Sequence, residues 1–389
     1  MKRVFQIIVI CLACSMCTPS HGSTDTPGGD VTPALDTTAT SDSFSLVPDV
    51  DLSSGWGTDQ PEDSKVYFNN PVYSDYTSAD PTWIRVGEYF YSYSTGDFIH
   101  ILRSKDMVHW EFIGKAFTKW PSWLKRVDGS NPGLWAPDIN YIGGRYVLYY
   151  SLNSNRRKAD DSGNERFDGI GVATADSPEG PFTDHGKLIA DEDFEVNGSL
   201  NKYTIDPVFY EEDGHKYIIW GSFRRIFLTE LTDDGLAVKY PGDGTKVTVI
   251  GCAQWEGSVI HKRGNYYYYI GSNGNPLKGE NSDYRAQVAR STSLLGPYVS
   301  KDGKQLLKSD TMTPLLYGNA SFIAPGHTSK ILTDDAGNDW IAYHGYVKGK
   351  ANALGRILFI DRIDWTEDGW PVINSGNGPT TSAEAPALD

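Results

Sequence analysis

The 389-residue sequence predicts an all-β protein, a five-bladed β-propeller built from four-stranded antiparallel blades. Three observations carry this expectation. An aromatic, strand-like run returns five times along the chain. Each copy follows a shorter apolar strand and precedes two further strand-and-turn segments. The 40 glycines and 21 prolines supply the turns that such a chain needs. Four-stranded units repeated around an axis leave only short, protected sheet edges. The alternative, a β-sandwich, does not require one signature five times.

Before the repeats lies a targeting segment, residues 1–17. Lys2 and Arg3 precede the apolar run "VFQIIVICLA" (4–13), which is too short to span a bilayer and suits an export signal. Cys11, Cys14 and Cys17 lie there. Cys14, after Leu12-Ala13, fits an acylated lipoprotein cysteine better than Cys17, which follows Met16. A plain signal peptide cut near 20–23 is the alternative. Export is expected either way, to a lipid-anchored site on the periplasmic or cell surface or into the medium. Residues 18–60, rich in Ser, Thr, Asp, Pro and Gly, read as a tether that cannot bury enough to order itself. The propeller is expected over 61–375 and a tail of the same composition as the tether over 376–389. Cys252 has no expected disulfide partner.

The repeated run reads "GEYFYSYS" from Gly87, "GRYVLYYS" from Gly144, "HKYIIWGS" from His215, "GNYYYYIG" from Gly264 and "NDWIAYHG" from Asn338. The spacing is irregular, roughly 50–75 residues. The preceding strands are "TWIRVGE", "INYIGGR", "VFYEEDGHK", "SVIHKRGN" and "KILTDDAGND". The following segments, such as "GVATADSPEGPFTDHG" and "QVARSTSLLGPYVSKDG", are expected to hold the third and fourth strands. In a propeller the first strand of each blade lines the channel and begins at one mouth. Asp80, Asp138 ("WAPDI"), Asp206 ("TIDPV"), Glu256 ("QWEGSV") and His327 ("APGHTSK") stand at those beginnings, so five polar groups are expected to converge there. The loops joining second and third strands surround the same mouth; they are long at 153–169, 273–284 and 346–354.

A net charge of −15 excludes nucleic acid as a partner, since phosphate binding needs a surplus of Lys and Arg. Carboxylates gathered in a funnel repel one another and lose water, so their pKa values separate into one protonated and one ionised group. Glycoside hydrolysis uses such a pair. Aromatic residues near the mouth, Trp83, Trp120, Trp123, Trp135 and Trp255, are candidates to stack on sugar rings, the alternative for each being the packing between blades.

The segments "ADPTWIRVGEYFYSYSTG", "RSKDMVHWE", "WAPDI", "TIDPVFYEEDGHKYIIWGSF", "GSVIHKRGNYYYYIGS" and "APGHTSKI", in this order across residues 69–373, resemble glycoside hydrolase family 43, in particular its arabinan-degrading members. The resemblance implies an inverting hydrolase that needs no cofactor for its chemistry. In it Asp80 aligns with the general base, Glu256 with the general acid, and Asp206 with the carboxylate that orients the acid and keeps its pKa high. Inversion leaves room for water, with the two carboxyls about 6.5–9.5 Å apart. Arg356 matches an arginine that reaches the substrate, or else forms an ion pair within blade five. Asp138 contacts sugar, braces the binding loop or caps a turn. His327 resembles the axial histidine that helps hold a calcium ion through water; the alternative is a satisfied core histidine.

The sequence departs from arabinanases at Ala79, where many of them carry His. It departs again in "SNGNPLKGENSDY", which lacks their aromatic and paired-Cys pattern. Together with the long blade-two loop, this favours an exo-acting α-L-arabinofuranosidase over an endo-1,5-α-L-arabinanase. A β-xylosidase stands third, because such family members commonly carry a C-terminal β-sandwich for which the sequence leaves no space. The expected partner is an oligo- or polysaccharide, with a monomeric protein and no membrane contact beyond the lipid. A non-catalytic carbohydrate-binding propeller is the reading from another class; it has no use for three costly acids.

Overall fold

Aromatic and β-branched residues facing one another across strands favour extended pairing over helix. The computed structural model describes residues 65–125, 129–131, 133–153, 168–196, 199–200 and 203–388. The signal peptide 1–17, its three cysteines, the tether 18–60 and most of the 153–169 loop lie outside the described residues. Strand β1 (Tyr67–Asn69) comes first. Blade I follows as β2 (Ala79–Val86), β3 (Tyr89–Thr95), β4 (His100–Ser104) and β5 (Glu111–Lys115). Blade II holds β6 (Leu134–Ile142), β7 (Arg145–Asn153), β8 (Asp168–Ala175) and β9 (Thr183–Ala190). After a hairpin of β10 (Glu195–Val196) and β11 (Ser199–Leu200), blade III holds β12 (Val208–Glu212), β13 (His215–Trp220), β14 (Ile226–Glu230) and β15 (Thr248–Gly251). Blade IV comprises β16 (Glu256–Arg263), β17 (Tyr266–Asn273), β18 (Arg285–Ser291) and β19 (Thr313–Leu316). Blade V is β20 (Phe322–Gly326) with its continuation β21 (Leu332–Thr333), then β22 (Asp339–Val347), β23 (Ile357–Trp365) and β24 (Pro371–Ile373). Each blade is an antiparallel meander in chain order, and the whole is a five-bladed propeller. No helix among the described residues is long and apolar enough to cross a membrane.

Two outer strands lie further along than expected. After β14 and β18 the chain makes isolated bridges, Leu231 to Val238 and Arg290 to Val299, before the true fourth strands β15 and β19. These short bridges carry the same turn chemistry as a fourth strand, which is why the segments read as one.

Ring closure corrects the expected tail. Strand β25 (Ser382–Glu384) pairs antiparallel with β1, Tyr67 opposite Glu384. Asn70 donates to the carbonyls of Ile360, at 2.7 Å, and Thr380. The Thr380 hydroxyl and amide donate to the buried Asp361 carboxylate, which also accepts from Tyr343 at 2.5 Å. Ala383, Ala385 and Leu388 pack beside Phe68, Trp83 and Trp340. The segment is poor in large hydrophobes, but β-pairing satisfies its backbone and a few small apolar side chains are enough to seat it.

Aromatic residues fill the wedges between blades. Trp83, Trp220, Trp255 and Trp340 are fully buried there. This packing holds the inner strands at fixed angles around the axis, and those strands carry the site.

Candidate active site

A bulge opens the inner strand in four of the five blades. The register shifts between Ala79 and Thr82, Trp135 and Asp138, Glu256 and Val259, and Ile323 and Gly326. At each bulge one residue takes left-handed backbone: Asp80 (φ 55°), Ala136 (40°), Gly257 (56°) and Ala324 (54°). Asp206 (59°), just ahead of β12, does the same in blade III. A positive φ is costly for any residue but glycine, and it persists where the surroundings enforce it. Here it turns side chains out of the sheet and into the mouth. Asp80 and Asp206 are therefore true equivalents, whereas Glu256 stands one residue before its bulge and His327 three after. A Cβ at Gly257 would lie 2.9 Å from the His327 ring, so glycine serves both backbone and space there.

Asp138 is a correction. It lies two residues past the blade II bulge, at the position Thr82 holds in blade I, and Thr82 donates to it at 3.2 Å. Its other oxygen accepts from Asn140 Nδ2 and from the Phe209 amide, each at 2.8 Å. Asp138 binds three blades together below the mouth and does not line the catalytic cavity. Its motif suggested a strand beginning like that of Asp80, but the bulge falls at Ala136 and leaves Asp138 two residues further into the strand. Trp83 and Trp255 are corrected too: both are 0% exposed, with Nε1 donating to Lys330 O (2.6 Å) and Ser309 O (3.0 Å). Neither offers a face to a sugar. Trp120 tilts against Phe98, and Trp123 donates to Tyr150.

Asp80, Asp206, Glu256, His327, Arg356 and Trp135 do meet around one cavity of about 620 Å³. Apolar walls come from Tyr203, Phe223 and Leu277, which the sequence reading did not single out. Hydrogen bonds between blades fix the acids. Thr95 Oγ1 accepts the Ala136 amide at 2.8 Å, Ser151 Oγ the Asp206 amide at 2.9 Å, and Ser272 Oγ the His327 amide at 2.8 Å. His344 Nδ1 closes the circuit by accepting the Asp80 amide at 3.0 Å. Between blades III and IV the acceptor is Asp206 itself, 3.3 Å from the Gly257 amide, while Ser222 Oγ donates to Glu256 at 2.8 Å. The legible signal was a Ser or Thr recurring at the end of four of the five aromatic runs, Thr95, Ser151, Ser222 and Ser272. It went unread because such residues are common at strand ends.

The two outer acids have opposite surroundings. Burial alone would raise the Asp80 carboxyl, but the Arg356 guanidinium, at 2.9 Å, outweighs it together with His327, His344 and the Thr95 hydroxyl. Asp80 is held well below the usual carboxylate range. Glu256 is raised to about 7, chiefly by burial and further by the Asp80 charge, against the opposing effect of Ser222 and Tyr284. The Tyr284 hydroxyl is itself buried outside hydrogen-bonding geometry. The cavity thus holds one ionised carboxylate and one protonated carboxyl in the same pH range.

Thr95 passes its hydroxyl proton toward Asp80 Oδ2, at 2.6 Å, while its oxygen takes the Ala136 amide. Replacing Thr95 with Val is expected to lower kcat/KM about tenfold to a hundredfold, as for loss of a hydrogen bond to a charged group. The acid limb of the pH–rate profile should move upward, and Thr95→Ser should restore both. An unmoved acid limb would show that Thr95 only packs.

Among the described residues, the axial channel beside His327 offers neither a direct ligand set nor room for the calcium expected there. His327 Nδ1 faces Asp80 Oδ1 at 3.2 Å. Among the described residues no group of three or more His, Cys, Asp or Glu is arranged to hold a metal. The axial void that His327 borders measures about 20 Å³, room for about one water and not for the six to eight oxygens of calcium.

Comparison with known proteins places this architecture. The chain is 31% identical over 309 residues to an extracellular exo-α-(1→5)-L-arabinofuranosidase, ArbA, of Cellvibrio japonicus, covering 76% of this chain and 86% of that protein. It is 30% identical to an extracellular endo-α-(1→5)-L-arabinanase of Bacillus subtilis, covering 75% and 86%. The solved α-L-arabinanase of Cellvibrio cellulosa in complex with arabinohexaose superposes with a TM-score of 0.66 at 28% identity, covering 77% of this chain and 96% of that one. The family described as "Glycosyl hydrolases family 43" matches residues 68–371, from within β1 to the start of β24. With five blades, a cavity at their common mouth and a sequence match spanning all of them, the chain belongs to glycosyl hydrolases family 43 and is a glycosidase.

Proposed function

We propose that this protein is an inverting, exo-acting α-L-arabinofuranosidase that removes arabinofuranosyl units from plant cell-wall polysaccharide. Glu256 donates its proton to the departing glycosidic oxygen. Asp80 takes a proton from a water that attacks the anomeric carbon from the opposite face, so the product sugar has inverted configuration. Arg356 and Thr95 hold the two Asp80 oxygens. Asp206 acts on the acid through the Gly257 amide beside it. Trp135, Tyr203 and Phe223 offer apolar surface for the sugar.

The observation that carries this reading is one cavity in which Asp80 is paired with Arg356 while Glu256 is buried against the Ser222 hydroxyl, which drives the two carboxyls to opposite protonation states. Arabinose as the sugar draws on the named activities of the relatives. Exo action draws on ArbA and on a cavity within the size range of small-ligand sites. Endo-1,5-α-L-arabinanase is the second reading, favoured by the relative from Bacillus subtilis. Export as a lipoprotein, acylated at Cys14, is part of the proposal and fits the extracellular location named for both relatives.

Product analysis on debranched arabinan, branched arabinan and arabinoxylan tests the proposal. Monosaccharide alone is expected from the first minutes of reaction. A ladder of oligomers would replace the exo assignment with the endo one, and NMR showing retention at the anomeric carbon would overturn the mechanism.

A further inference from the structure

The channel beneath the catalytic cavity carries a cation of the protein's own. Lys330, in the inner segment of blade V between β20 and β21, extends across the axis to blade II. Its ammonium donates to the carbonyl of Ile139 and, at 2.7 Å, to Asn140 Oδ1. It lies 3.3 Å from Asp138 Oδ1. The Lys330 carbonyl meanwhile accepts from Trp83 Nε1 at 2.6 Å, which anchors the backbone from which the side chain departs. Asp138 is 2% exposed; one of its oxygens accepts from Thr82 and lies within ion-pair distance of the Lys330 ammonium, and the other accepts from Asn140 and the Phe209 amide.

We propose that the Lys330 ammonium is the resident cation of the axial channel, tying blades V and II through Asp138 and making the propeller independent of a bound metal ion. A buried carboxylate needs a counter-charge. Here a covalently attached ammonium supplies it, with no dependence on metal concentration. The ammonium already stands beside Asp138 Oδ1, where a metal ion would otherwise sit, and the neighbouring void is too small for a hydrated one. The inference concerns assembly of the channel and stands apart from the identity of the substrate.

Metal content and thermal unfolding of the full-length protein test it, neither of which depends on turnover. After EDTA treatment and desalting, the wild type is expected to hold well under ~0.1 calcium per chain, with Tm the same within about 1 °C in EDTA or calcium chloride. Lys330→Met keeps the aliphatic stem but strands the Asp138 charge, and should lower Tm by about 5–10 °C. The double variant Asp138→Asn/Lys330→Met removes both charges and should recover most of that loss. If Lys330→Met does not fold, recovery by the double variant alone carries the test. Stoichiometric calcium surviving EDTA, a calcium-dependent Tm in the wild type, an unchanged Tm in Lys330→Met, or no recovery in the double variant would each overturn the proposal.

Discussion

Glu256→Gln is expected to lower kcat on arabinan by about 10²–10⁴ while leaving substrate binding intact. The substitution is nearly isosteric, and the Gln carbonyl still accepts from Ser222. What disappears is the proton for the leaving oxygen. On an aryl arabinofuranoside whose phenol leaves readily without a proton, the loss should be far smaller. The wild-type pH profile should fall as pH rises through about 7, where Glu256 loses its proton. With Glu256→Gln and the activated substrate, that alkaline limb should vanish. Retention of more than about a tenth of wild-type activity on arabinan would remove Glu256 from the acid role.

Asp80→Asn should have an effect of similar size, about 10²–10⁴ in kcat, on polymer and aryl substrate alike. An amide cannot take a proton from water, and a better leaving group does not replace that step. In the wild type the base is ionised down to low pH, so activity should decline on the acid side only below the usual carboxylate range, about pH 4. Asp80 is also the counter-charge of Arg356, so the variant's Tm and its isothermal binding of an arabino-oligosaccharide should be measured beside its rate. Loss of turnover with binding kept assigns Asp80 to the chemistry. A variant that loses both together would point to collapse of the Arg356 cluster instead. In an Asp80→Gly variant, added azide should restore turnover and give a glycosyl azide of inverted configuration. No rescue at saturating azide would count against a base in this position.

The division between these two acids rests on neighbours far away in the chain. Arg356 and His344 come from blade V and act on Asp80 in blade I. Ser222 leaves blade III to hold Glu256 in blade IV. None of these pairings is visible as a local motif. Trp83 and Trp255 show the same limit from the other side. Their positions near the mouth made them candidates for sugar stacking, but whether an indole faces the cavity or the wedge between blades depends on which residues fill the adjacent blade. Trp135, one residue before the blade II bulge, lines the cavity. Trp255 stands immediately before Glu256 and is buried.

The sequence by itself determined the five repeats and their meander topology, and its family resemblance singled out Asp80, Asp206 and Glu256. Strand periodicity, turn residues and aromatic runs are local properties, and local properties survive in a linear reading. Only the tertiary structure decided that Asp138 braces the channel, that residues 376–388 close the ring, and that Lys330 reaches across the axis. Each of these depends on a left-handed bulge or a contact between blades, and a bulge shifts every later side chain by one place without leaving a mark in the composition.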